Sequence, residues 1–139
     1  MKLLIYGFKY KSQKENITEE IIRKIRIKKN LVKVIFPVKF EKKIFLEKIK
    51  KHKPTIILGL GQHKRSKKIR IERKAINFKR HSKKEEPGVI SKNKPKYQFV
   101  NLRLKKDKNS WISYNAGKYV CNFSMYILSD FSGNKNIFS

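Results

Sequence analysis

The chain has 139 residues, with 37 lysines and arginines against 10 aspartates and glutamates, which gives a formal net charge of +27. Its length favours one domain with a substantial core, and hydrophobic residues (39%) in periodic runs exclude a uniformly disordered polycation. No apolar stretch approaches the roughly 18 residues of a membrane-spanning helix. With one cysteine and no recognisable export signal, we expect a cytoplasmic protein without a membrane partner.

The first quarter of the chain predicts a buried strand followed by a helix. Residues 2–8 are mostly apolar and 9–15 are polar, which indicates a strand and then a loop. Asn16 with Glu19 three residues later forms a capping box, and this pattern predicts a helix to about residue 27. The buried face of that helix is predicted to carry Ile17, Ile21, Ile22 and Ile25.

The next segments continue an alternation of strands and helices. The β-branched run 31–38 and the nearly continuous apolar run 55–61 predict strands. Between them, apolar residues at helical spacing predict a helix over 40–52, which Pro54 ends. Because strand, helix, strand, helix, strand is typical of doubly wound folds, we expect parallel strands with helices on both faces.

The second half contains weaker signals. Ile69 and Ile71 alternate with charged residues, which predicts a strand over 69–72 with both isoleucines inward. Residues 79–98 contain two prolines and a glycine and are predicted to be irregular. Further elements are predicted as strands 99–104 and 111–114 and a helix 119–131. The whole chain, 1–139, is thus predicted to be a single α/β domain, a three-layer sandwich with a mixed, mostly parallel sheet flanked by helices.

Cys121 is the first candidate for chemistry. It lies near the start of the helix predicted over 119–131, where the helix dipole and free backbone N–H groups favour a thiolate and stabilise an oxyanion. A nucleophilic cysteine with a lowered pKa fits this position. The alternative is a small residue packed at a helix start.

Glu72 and the histidines are the other candidates. Glu72, beside Arg73 at the end of a predicted strand, is placed to orient a catalytic histidine, with Arg73 screening it or binding substrate; the alternative is an exposed ion pair. Of the three histidines, only His63 follows a strand at the presumed active edge. No spacing of cysteine and histidine is typical of a metal site, and we expect neither a metal nor a cofactor.

The strong positive charge has two interpretations. A surface of this charge attracts polyanions, so non-specific contact with nucleic acid is one hypothesis. The chain is also rich in lysine, isoleucine and asparagine, whose codons an AT-rich genome favours, although the same bias does not explain the scarcity of acidic residues.

Four segments of the sequence resemble the pyroglutamyl peptidase I family, the pyrrolidone-carboxylate peptidases. The segment 4–8 is similar to the opening strand and Gly-Phe loop of the family, and 57–62 to its Gly-Leu-Gly-Gln turn. The segment 71–77 is similar to that around the family's glutamate, and 113–122, Ser-Tyr-Asn-Ala-Gly-Lys-Tyr-Val-Cys-Asn, to that around its nucleophile.

The resemblance implies a cysteine omega-peptidase that removes N-terminal pyroglutamate from peptides without a cofactor. By this resemblance Cys121 is the nucleophile and Glu72 orients the catalytic histidine. Phe8 packs on the pyrrolidone ring, and Gln62 and Asn115 contribute to substrate binding. Self-association to cover an exposed sheet edge is a further expectation.

The sequence also departs from the family pattern. No residue matches the catalytic histidine, which the family carries on a strand beyond the nucleophile helix, so we expect a C-terminally truncated member. The loop that reads Gly-Phe-x-Pro-Phe in the family is Gly-Phe-Lys-Tyr-Lys at 7–11. The alternative hypothesis is therefore a catalytically inactive relative whose basic surface binds nucleic acid or another polyanion.

Overall fold

The computed structural model describes residues 1–9, 17–63, 67–80, 88–101 and 104–132. Within them the chain forms seven strands and three helices. In chain order these are β1 (Leu3–Phe8), α1 (Ile17–Lys24), β2 (Leu31–Phe36), α2 (Lys42–His52), β3 (Ile56–Gly59), β4 (Ile69–Glu72), β5 (Lys74–Ile76), β6 (Tyr97–Phe99), β7 (Ser110–Ser113) and α3 (Val120–Ser132).

The strands pair mostly in parallel. β1 lies between β2 and β3 and is parallel to both, with Leu4 opposite Val32 and Ile57. β4 pairs with β7 in parallel, and β5 pairs with β6 antiparallel. This arrangement confirms the prediction of an α/β fold with a mixed, mostly parallel sheet.

The helices cover both faces of the central strands. Gly7 of β1 faces α1, since a Cβ there would lie 2.8 Å from Thr18 Oγ1. Side chains alternate along a strand, so Tyr6 and Phe8 point to the opposite face. There Phe8 packs near Phe45 of α2, with ring centroids 6.4 Å apart, and the Tyr6 hydroxyl reaches Ser124 of α3. Helix, sheet and helix thus form the three predicted layers.

The buried face of α1 differs from the predicted one. Thr18 and Ile22 are buried, whereas Ile17 and Ile21 are 50% and 42% exposed. A hydrogen bond sets this orientation of α1, because the Thr18 hydroxyl accepts from the Phe8 N–H at 2.8 Å and thereby faces the end of β1. The helix ends at Lys24 rather than near residue 27. The predicted cap at Asn16 lies outside the described residues.

The segment after β4 is more regular than predicted. β5 follows β4 after one residue, and β6 covers Tyr97–Phe99, so the strand predicted over 99–104 shares only Phe99 with β6 among the described residues, and 102 and 103 lie outside them. Both strands have three residues and are held by their mutual pairing, which no local pattern reveals. Ile69 is 68% exposed, so its predicted inward orientation is wrong.

Asn77 hydrogen-bonds to the backbone of the segment that follows β5. Its side chain is buried, donates to the Ser91 carbonyl at 2.8 Å and accepts from the Ser91 N–H at 2.9 Å.

In the described part of the chain, no helix is both long and apolar enough to cross a membrane.

Candidate active site around Cys121

A turn after β7 places Cys121 at the start of α3. The Asn115 side chain accepts a hydrogen bond from the Gly117 N–H at 3.0 Å, and Gly117 has a φ of +78°, a conformation that favours glycine. The Asn115 N–H in turn donates to Ser113 Oγ at 3.2 Å. Cys121 is the second residue of α3, which confirms that it lies near the start of a helix.

The thiol of Cys121 lies against the turn that follows β3. A Cβ on Gly61 would be 2.6 Å from Cys121 Sγ, so only glycine leaves room for the sulfur at this point. The backbone N–H of Gln62 donates a hydrogen bond to the thiol. The structure therefore brings together two segments that are far apart in the chain.

Burial raises the pKa of the Cys121 thiol to about 11. The Gln62 N–H acts in the opposite direction, and the negative charge of Glu72 raises the pKa further. The expectation of a lowered pKa is therefore wrong for this arrangement. Desolvation of the thiol outweighs the effect of the helix N-terminus.

Glu72 is held by an arginine of its own strand. Arg70 Nε lies 2.9 Å from Glu72 Oε1, and the two residues share a face because they are two positions apart. Arg70 also donates to Ser113 Oγ at 2.9 Å and to the Asn115 carbonyl, and it stacks on Trp111. Glu72 Oε2 is buried and has no hydrogen-bond partner among the described residues. It is a free acceptor for one further donor.

Arg73 does not screen Glu72, contrary to the sequence interpretation. Its guanidinium donates to the Leu104 carbonyl at 3.0 Å, because strand alternation directs it away from Glu72. The alternation of β4 is the signal that identifies Arg70 as the partner.

The three predicted substrate-binding residues lie in different settings. Gln62 is exposed, and its side chain accepts a hydrogen bond from the Ile17 N–H at 3.2 Å while its backbone faces the thiol. Asn115 is exposed in the turn before α3. Phe8 is 1% exposed within the core, edge-to-face with Tyr6 at 5.8 Å. Its contact with substrate stays a prediction.

Neither described histidine contacts the candidate catalytic pair. His52 ends α2, and its pKa is lowered by burial and by nearby lysines. His63 is exposed immediately after Gln62. Neither hydrogen-bonds to Cys121 or Glu72, and His81 lies outside the described residues. Across the described ranges, no three His, Cys, Asp or Glu residues form a group that suits a metal.

Two polar contacts of α3 were not anticipated from the sequence. Asn122 is fully buried and bonds three backbone groups, accepting from the Ile76 N–H and donating to the carbonyls of Ile76 and Phe78. Ser124 donates to the Cys121 carbonyl at 2.9 Å and meets the buried Tyr6 hydroxyl at 3.0 Å. The sequence pattern that could have indicated these contacts is the presence of polar residues on an otherwise apolar helix. They fix the first turn of α3 against β1 and β5.

The fold and this site define a class, a three-layer α/β protein with a cysteine at the start of a helix and a carboxylate on a neighbouring strand. The pyroglutamyl peptidase family model matches residues 1–138. This chain therefore belongs to the pyroglutamyl peptidase family.

Curated relatives and solved structures agree with that assignment. The chain is 30% identical to a pyrrolidone-carboxylate peptidase of Saccharolobus islandicus over 92% of its own length and 71% of the relative's. It is 33% identical to that of Thermosipho africanus over 91% and 71%. A variant of pyrrolidone carboxyl peptidase from Pyrococcus furiosus superposes with a TM-score of 0.83 at 26% identity, covering 99% of this chain and 78% of that one.

Proposed function

We propose that this chain is a cysteine omega-peptidase that removes N-terminal pyroglutamate from peptides, with Cys121 as the nucleophile. The observation that carries the proposal is the convergence at one thiol of the Gly61–Gln62 turn, the charge of Glu72 and the first turn of α3. The names of the relatives, pyrrolidone-carboxylate peptidases, support the same substrate class.

The reaction is an acyl transfer through a thioester. Cys121 Sγ forms a bond to the carbonyl carbon that joins pyroglutamate to the next residue, and the carbon–nitrogen bond breaks. The thiol proton passes to the leaving amine. Water then cleaves the thioester, which releases pyroglutamate and restores the thiol. Backbone N–H groups without an intrahelical partner in the first turn of α3 favour the negative charge that develops on the carbonyl oxygen.

Proton transfer is the step that needs help, because the pKa of the Cys121 thiol is about 11. Glu72, whose side chain is 24% exposed, would position an imidazole by accepting its N–H, and that imidazole would take the thiol proton. No described histidine occupies this place. We therefore expect slow turnover by the chain alone and faster turnover when imidazole is added.

The test is hydrolysis of a chromogenic pyroglutamyl amide with and without added imidazole. Cys121→Ser should abolish turnover in both conditions, and Glu72→Gln should diminish the acceleration by imidazole because the amide accepts the N–H less well than a carboxylate. His63→Ala is the matched control and should behave as the parent. Turnover that survives Cys121→Ser, or none under either condition, would contradict the proposal.

A further inference from the structure

A basic cleft is formed by residues of β5, β6 and the turn before α3. It has a volume of about 340 Å³, and its walls include Lys74, Tyr97, Tyr114, Asn115 and Lys118. Among the described residues, both charged side chains in its lining are lysines, and no carboxylate lines it. The cleft thus offers positive charge and aromatic rings to a ligand.

The positive charge of the basic cleft is not compensated within the described residues. Elsewhere lysines have acidic partners, such as Lys24 with Glu20 and Lys94 with Asp130. In the part of the chain that the structure describes, no carboxylate oxygen lies within 4.0 Å of the amine of Lys74 or Lys118. An acidic ligand would therefore meet cations that are not already paired with a carboxylate.

Aromatic rings orient the charge in the basic cleft. Lys74 Nζ lies 4.3 Å from the centroid of the Tyr97 ring, and Lys96 Nζ lies 5.4 Å from the same centroid. These cation–π contacts hold two amines around one ring. Tyr114 is 52% exposed and offers a second aromatic surface. Such a combination suits a short acidic chain with apolar stretches between its charges.

Several residues that line the basic cleft are close in sequence to the candidate catalytic residues. Lys74 lies two residues after Glu72, and Lys118 lies three residues before Cys121. Ile76 also lines the cleft, and its backbone is bonded to Asn122, the neighbour of Cys121. A peptide whose first residue is bound at the thiol extends by about 3.5 Å per residue. The inference places the next two or three residues, which span roughly 7–10 Å, in the cleft.

We propose that the basic cleft selects peptides that carry aspartate or glutamate in the first few positions after the N-terminal pyroglutamate. The inference rests on the proposed function, because it concerns the part of the substrate that leaves. A single-stranded nucleic acid also presents anionic groups and rings. The small volume of the cleft, and the closeness of Lys118 to Cys121 in the sequence, favour the peptide.

The selectivity experiment compares two peptides of equal length, pyroglutamyl-Ala-Asp-Glu and its isosteric amide pyroglutamyl-Ala-Asn-Gln, by kcat/KM. The parent should prefer the acidic peptide, and 0.5 M salt should reduce the preference because exposed charges are screened. Lys74→Gln combined with Lys118→Gln should lower the ratio about tenfold, since each exposed ion pair contributes up to about fivefold. Lys48→Gln with Lys51→Gln on α2 removes the same charge away from the cleft and should keep the ratio.

A binding measurement distinguishes a failure of this inference from a failure of the proposed function. Fluorescence anisotropy of a labelled Ala-Asp-Glu peptide with the Cys121→Ala protein needs no catalysis, and binding should weaken in the cleft variant but not in the α2 variant. If no pyroglutamyl substrate is hydrolysed, the proposed function fails, and cleft-dependent peptide binding still supports the cleft. Equal kcat/KM for both peptides, or equal losses in both lysine pairs, would overturn the inference. So would cleft-dependent binding of an oligothymidylate without binding of the acidic peptide.

Discussion

Cys121 is the only cysteine in the chain, so a thiol reagent such as iodoacetamide reports on a single site. Burial raises its pKa from an ordinary value of 9.0 to about 11. At pH 8 about 10% of an ordinary thiol is ionised, against about 0.1% at a pKa of 11. The more basic thiolate is roughly tenfold more reactive, which recovers part of this hundredfold difference. We expect the folded protein to react about tenfold more slowly than the unfolded chain.

The pH profile of alkylation tests this reasoning directly. The rate for the folded protein should rise about tenfold per pH unit through pH 8 to 10 without a plateau, because only the thiolate reacts. The same protein in guanidinium chloride should approach its plateau near pH 9 to 10, and Cys121→Ser should incorporate no label. A plateau below pH 8 in the folded protein would show a stabilised thiolate and refute the assignment of a dominant desolvation effect.

Three further predictions concern stability, each measured by guanidinium unfolding. Gly59→Ala should lower the free energy of unfolding by about 1–3 kcal/mol, because the added Cβ would lie 2.8 Å from Cε1 of the buried Tyr6 and closer to its hydroxyl. Gly88→Ala meets only Lys79 Cε at 3.8 Å and should be nearly neutral; equal losses would contradict the overlap argument. Asn122→Ala should cost about 3 kcal/mol, since three backbone groups lose their partner, and a loss below 1 kcal/mol would contradict this account. Because the folded pKa of Cys121 is raised, the stability that its protonated thiol contributes is lost as the pH rises from 9 to 11. The parent should lose about 2 kcal/mol more than Cys121→Ser over that range, and parallel pH curves would count against this account.

The central elements of the fold are predictable from local patterns. The apolar runs around residues 3–8, 31–36 and 56–59 are strands, and the periodic segments 42–52 and 120–132 are helices. These elements are long or strongly apolar, so burial reinforces what the pattern indicates. β5 and β6 were missed because each has only three residues and exists through its pairing with the other.

Some features of the candidate site are likewise predictable from the sequence, and others are not. The sequence indicates the position of Cys121, because a β-strand, a turn and an apolar helix follow one another in order. It does not indicate the pKa of the thiol, since desolvation comes from Gly61 and its neighbours, 60 residues earlier in the chain. Likewise, alternation along β4 places Arg70 beside Glu72, but only the folded structure shows that one oxygen of the Glu72 carboxylate has no hydrogen-bond partner in the described part of the chain.

The contact between Gly61 and Cys121 also has a consequence for folding kinetics. Shielding of the thiol requires the β3 turn and α3 to meet across a loop of 60 residues, a contact with a large entropic cost of loop closure. Contacts of this separation form slowly compared with helices and hairpins. Pulsed alkylation during refolding would therefore time the assembly of the site separately from the appearance of secondary structure. Because no other cysteine competes for the reagent, the experiment needs no substitution in the sequence.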